Sequence, residues 1–203
     1  MTNALVIGAV GLTPLTFAMV GLMFALWANG VQLLGAFPER EGGAPTGPTI
    51  AVIGSFAGAI TLLFDAVWFI TGAPFGSEGD AVQAQLVFGA IAGMYGLLWL
   101  GAGFAQLRNW DLRPIGQIAV LCFILQAFEI LVIAATFRPW TTDLLGICIA
   151  LGLYLPVLAG FHLVTHGRTN PKWVGWACMA AAAGSFWLAF APTDIAPFLQ
   201  LPD

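Results

Sequence analysis

Long apolar stretches alternate with brief polar turns along the whole chain. Six stretches stand out, at about 5–35, 49–72, 84–107, 114–137, 142–166 and 173–191. Each is about 20 residues or longer, which is what an α-helix needs to cross roughly 30 Å of hydrocarbon. Lipid offers the backbone no hydrogen bonds, so only helices or a closed barrel can span it. The stretches lack the strict alternation of barrel strands. The pattern therefore predicts an all-α integral membrane protein of six transmembrane helices, a single domain over 1–203. Pro14 interrupts the first stretch and predicts a tilted or interfacial turn at its start.

Composition agrees with the pattern. Hydrophobic residues make up 60% of the 203, and charged residues only 8%, against about 25% in a soluble domain. Mean hydropathy is +0.92. Cys122, Cys148 and Cys178 each lie inside an apolar stretch without metal-ligand spacing, and read as small buried apolar residues. The chain has no basic patch for nucleic acid. No basic region precedes the first stretch, so a cleavable signal peptide is not expected.

Charge then orients the spans. Arg40, Arg108, Arg113, Arg168 and Lys172 follow odd-numbered spans, and only Arg138 lies on the other side. The excess of positive charge predicts cytoplasmic odd-numbered turns and external termini. Spans one to three and four to six then run with opposite topology, which admits an inverted 3+3 repeat. Glycine is frequent (25 residues), and small residues let helices approach closely in lipid.

Few residues within the spans can carry chemistry. Asp65 and Glu129 are intramembrane acids, each about two thirds of the way along its span. A carboxylate facing lipid costs at least ~2.5 kcal/mol, so each must face a cavity or a partner, or be protonated. One reading is a polar anchor for a permeating solute or a proton. The other is a carboxyl bonded to a neighbouring helix or subunit. Gln126 lies one turn before Glu129 and suggests a shared polar stripe. Tyr95 and Trp99 stand one turn apart, well inside the third span, and are candidates for a pore wall. Trp27, Trp68, Trp140 and Trp173 fit interfacial anchors better. His162 and His166 have i, i+4 spacing but no third ligand nearby, so no metal site is expected. The absence of a nucleophile with a base, a phosphate loop or a haem motif argues against an enzyme, and no cofactor is implied.

The central hairpin carries a resemblance. WDLRPIGQ (Trp110–Gln117), with Tyr95 and Trp99 upstream, resembles the AmiS/UreI family of urea and short-chain amide channels. NGVQLLG (Asn29–Gly35) is similar to the end of that family's first helix, and KWVGW (Lys172–Trp176) with Trp187 to its last. The resemblance implies pore-lining positions at Leu15, Met19, Leu26, Tyr95, Trp99, Leu153, Val157, Ala181 and Trp187. It also implies a homohexamer, one pore per protomer, in a bacterial inner membrane. Three departures are visible. Ala181 stands where channel members carry a pore glutamate, ALGLYLPVLAGF replaces a Trp-rich fifth helix, and the outer loops contain no histidine. Asp65 or Glu129 is the candidate to supply the missing carboxylate.

The expected function is passive passage of a small neutral amide such as urea or acetamide. Flat aromatic and aliphatic walls would fit the solute, with Asp65, Gln126 or Glu129 receiving its N–H groups, and the dry constriction would exclude hydrated ions. The alternatives are a proton-coupled carrier for a small acid or amide, and a structural subunit of a larger membrane complex.

Overall fold

The computed structural model describes residues 5–7, 10–12, 14–37, 43–72, 78–136 and 142–190. Arg40, Arg138, Trp140 and the tail from 191 lie outside the described residues. Among the described residues, six helical spans are long and apolar enough to cross a membrane. They are Pro14–Leu33, Gly47–Gly72, Asp80–Arg108, Arg113–Thr136, a fifth in two pieces (Thr142–Gly152 and Tyr154–Thr165), and Pro171–Phe190.

Local chemistry sets the ends. The third span stops at Asn109, whose left-handed backbone (φ 52°) turns its N–H back to the carbonyls of Ala105 and Gln106. Asp111 then accepts the Arg113 backbone N–H at 2.9 Å and pairs with the Arg113 guanidinium. Pro114 follows in the first turn of the next helix, where its missing N–H costs nothing. Asn170 caps the sixth span by accepting the Lys172 N–H at 2.9 Å, ahead of Pro171.

Three details depart from the hydropathy pattern. The first helix begins at Pro14 rather than near residue 5, and Leu5–Ile7 pairs with Val10–Leu12 in a short antiparallel hairpin. Proline fits a first turn and breaks a helix interior, so the apolar run 5–12 cannot simply continue it. The second span contains a π-helical stretch, Ala51–Phe56. The fifth span breaks at Leu153, where Pro156 cannot bond back to the Gly152 carbonyl and its ring crowds it.

The spans close into a ring. Each packs against its sequence neighbours, and the sixth returns to the first. Close approach rests on small residues. A Cβ on Gly175 would lie 2.9 Å from the Gly30 carbonyl oxygen, and one on Gly58 would lie 2.7 Å from the Ala25 Cβ. Van der Waals packing of this kind is the main adhesive between helices in lipid. The fourth span is the least enclosed, with 22% of its apolar window buried, and presents Ile118, Leu121, Ile124, Phe128 and Leu131 outward.

Candidate functional site

The ring encloses two chambers. One, of about 450 Å³, lies toward the end where Arg108, Arg113, Arg168 and Lys172 cluster, here the cationic end. Its walls include Leu26, Asn29, Trp99, Gln106, Leu112, Val157 and Thr165. The other, of about 210 Å³, lies toward the far end and is lined by Leu15, Met19, Leu22, Asp65, Ile91 and Leu188, among others. Tyr95 and Tyr154 line both. Their ring centroids are 5.5 Å apart and the planes are tilted by 56°. The pair thus stands where the two chambers adjoin.

The two tyrosines are held differently. The Tyr154 hydroxyl is 2.6 Å from Ser185 Oγ, and Ser185 in turn donates to the Ala181 carbonyl at 2.9 Å. Among the described residues the buried Tyr95 hydroxyl has no hydrogen-bond partner, and neither has the Trp99 indole N–H one turn away. Tyr95 and Trp99 both line the larger chamber, and each carries a buried polar atom that is unspent among the described residues.

Asp65 is 1% exposed, and neither of its carboxyl oxygens has a partner among the described residues. It is the acidic side chain of the far chamber's wall. Gln126 is fully buried, with both amide atoms unpartnered among the described residues. Glu129 is half-buried with Oε2 unpartnered, within electrostatic reach of Tyr95 and Cys122. Neither Gln126 nor Glu129 lines either chamber. The fourth span lies against the third and fifth and contributes no wall residue.

The remaining sequence candidates fall in different places. Leu15 and Met19 line the far chamber, and Leu26 and Val157 the larger one. Leu153 sits at the break of the fifth span and packs beside Gly184. Ala181 is fully buried and its carbonyl serves Ser185. Trp187 lays its ring over Gly146, between the sixth and fifth spans. Trp27 and Trp173 are exposed, and Trp68 stacks on Phe64. His162 and His166 fasten the fourth span to the fifth. His162 Nδ1 is 3.2 Å from the Gly116 oxygen, and His166 Nε2 is 3.2 Å from Gln117 Nε2. Among the described residues, no three His, Cys, Asp or Glu side chains converge as a metal site.

Sequence reasoning missed a polar cycle between three spans. Asn29 Nδ2 donates to Ser55 Oγ at 3.2 Å, Ser55 Oγ donates to Gln106 Oε1 at 2.8 Å, and Gln106 Nε2 donates back to Asn29 Oδ1 at 2.6 Å. The second Asn29 N–H goes to the Ala25 carbonyl at 2.8 Å. Ser55 lies in the π-helical stretch, so the irregular turn carries the hydroxyl that completes the cycle.

No family model, no curated protein and no solved structure matches the chain. Function must therefore be argued from the chambers and their chemistry.

Proposed function

We propose that the chain is a passive channel for small neutral amides such as urea and acetamide. In this reading it lies in a bacterial inner membrane, with the cationic end in the cytoplasm. The single observation that supports it most is the pair of chambers adjoining at Tyr95 and Tyr154 inside a closed ring of helices. A neutral planar solute can lie against two aromatic faces. It can also recover lost water contacts from the Tyr95 hydroxyl, the Trp99 N–H and the Asp65 carboxyl. Leaving such groups unpaired costs about 1–3 kcal/mol each, so a bundle built only for stability would not be expected to keep them. A hydrated ion loses far more than these few groups return. The resemblance to the AmiS/UreI family supports the same solute class, and it adds the expectation of a hexamer.

Stopped-flow shrinkage and reswelling of proteoliposomes tests the reading. Urea, acetamide and formamide should equilibrate faster than through protein-free vesicles, glycerol should lag, and an imposed pH gradient should cause no accumulation. Amide rates equal to those of empty vesicles would overturn it.

The unpartnered Asp65 carboxyl, with Glu129 near Tyr95, favours one second reading: a proton-coupled carrier for a small acid or amide. A carrier would accumulate solute under a pH gradient and lose that coupling on Glu129→Gln or Asp65→Asn. A channel would only change its rate.

A further inference from the structure

We infer that the Asn29–Ser55–Gln106 cycle is the specificity element of the larger chamber, a recognition edge for solutes that carry both an amide N–H and a carbonyl. The inference rests on the amide-channel reading and adds to it the residues that choose among amides.

The cycle is directional. Each of its three side chains donates once and accepts once within it. Counting atoms shows what is left over. Asn29 spends both N–H groups, on Ser55 and on Ala25. Its Oδ1 accepts one bond and retains a second lone pair. Gln106 Nε2 spends one hydrogen and retains another, and its Oε1 retains a lone pair. Asn29 and Gln106 both line the larger chamber. The chamber therefore meets one amide donor beside amide acceptors, with neither amide free to rotate. That arrangement is self-complementary to another amide. The solute carbonyl accepts from the unused hydrogen of Gln106 Nε2, and a solute N–H donates to the unused lone pair of Gln106 Oε1.

Locking is what turns this edge into a filter. A loose glutamine would swap its oxygen and nitrogen to suit a donor or an acceptor. In the cycle a Gln106 swap sets its oxygen against Asn29 Oδ1, and swapping both amides together gives up the Asn29 bond to the Ala25 carbonyl, so the polarity of the edge is fixed. A site that offers a fixed acceptor favours a solute with an N–H over an analogue lacking one, by the worth of that one bond. The rest of the wall, Leu26, Leu98, Trp99 and Ala102, offers apolar contact that cannot tell such analogues apart.

Propionamide and N,N-dimethylformamide are isomers, and only the first has N–H groups. After subtraction of the protein-free leak, wild-type proteoliposomes should pass propionamide about threefold to tenfold faster, the worth of one net hydrogen bond. Gln106→Met keeps length and removes both polar atoms. It should bring the ratio close to one while acetamide still passes. An unchanged ratio in Gln106→Met overturns the inference and leaves the channel reading standing. If that variant does not fold, Ser55→Ala, which opens the cycle but keeps both amides, is read in the same way. If the wild type carries no amide at all, the channel reading fails, and isothermal titration of the solubilised protein with propionamide decides the site alone. Propionamide binding that N,N-dimethylformamide does not match, and that Gln106→Met abolishes, supports it. No binding, or equal binding of both isomers, overturns it.

Discussion

The amides of the larger chamber and the carboxyl of the far one are held in opposite ways. In the larger one, Asn29, Ser55 and Gln106 satisfy each other in a closed cycle. In the far one, the Asp65 carboxyl is as deeply buried but has no partner. Satisfied groups hold helices together and stay put. Unsatisfied groups add no cohesion and keep their bonding capacity for whatever enters. A polar residue inside a membrane bundle is thus informative only when its partners are known.

The polar cycle and the far chamber's wall both join the first and second spans, and the largest effect should come from separating them. Gly58→Leu puts side-chain atoms where the Ala25 Cβ and the Gly21 backbone already are. Overpacking costs about 1–3 kcal/mol in an adaptable core and more against backbone. The expected outcome is loss of the monodisperse folded species in size-exclusion chromatography in mild detergent. A folded, monodisperse Gly58→Leu protein would mean that the spans can part without loss, and the contrast between the chambers would lose its frame.

The contrast itself is tested by a matched pair. Asn29→Leu strands Ser55 and Gln106, and should lower stability by about 1–3 kcal/mol, the cost of orphaning buried polar groups. Asp65→Leu removes a carboxyl that bonds nothing among the described residues, so it should leave stability unchanged or raised. Thermal unfolding in detergent measures both. Equal losses would show that Asp65 has a structural partner after all.

The tyrosines repeat the comparison on a smaller scale. Tyr154→Phe removes the hydroxyl bond to Ser185 and should cost about 0.5–1.5 kcal/mol. Tyr95→Phe removes a hydroxyl without a partner and should cost nothing, while slowing amide flux if solute bonds there. The reverse order of stabilities would reassign which ring anchors the junction.

How much of this was legible in the sequence follows from the range of each interaction. The six spans were legible because hydropathy over about 20 residues is a local property. Asp65 and Gln126 stood out because a polar residue in an apolar run is also local. The cycle was not legible, since its members are 26, 51 and 77 residues apart and each alone is an ordinary helix residue. Tyr154 is one bulky residue in an apolar run, and Ser185 stands between Gly184 and Phe186 with no polar neighbour. Only the ring closure brings them together. The break at Leu153 did have a signal, Gly152 and Pro156 in one turn, masked by the run's length. The side occupied by the fourth span could not be read, because its apolar residues lie all round the helix.

The smallest effect belongs to the mouth of the larger chamber, where Leu112 lies between Asp111 and Arg113. Hydrogen bonds from the Arg113 side chain and backbone hold the Asp111 carboxyl below its ordinary value. A carboxyl depressed in the fold stabilises it at pH values above the unfolded value, and the contribution disappears as pH falls through the folded one. Asp111→Asn should therefore melt slightly below wild type at neutral pH. The gap should close as the medium is acidified below the ordinary carboxylate range, and it should also shrink in high salt, because both partners are exposed. Neither chamber's own residues take part, so the gap should leave the propionamide preference untouched. A preference that changed with Asp111→Asn would mean that the polar turn reaches the Asn29–Gln106 edge, and that the larger chamber is less self-contained than its closed cycle implies.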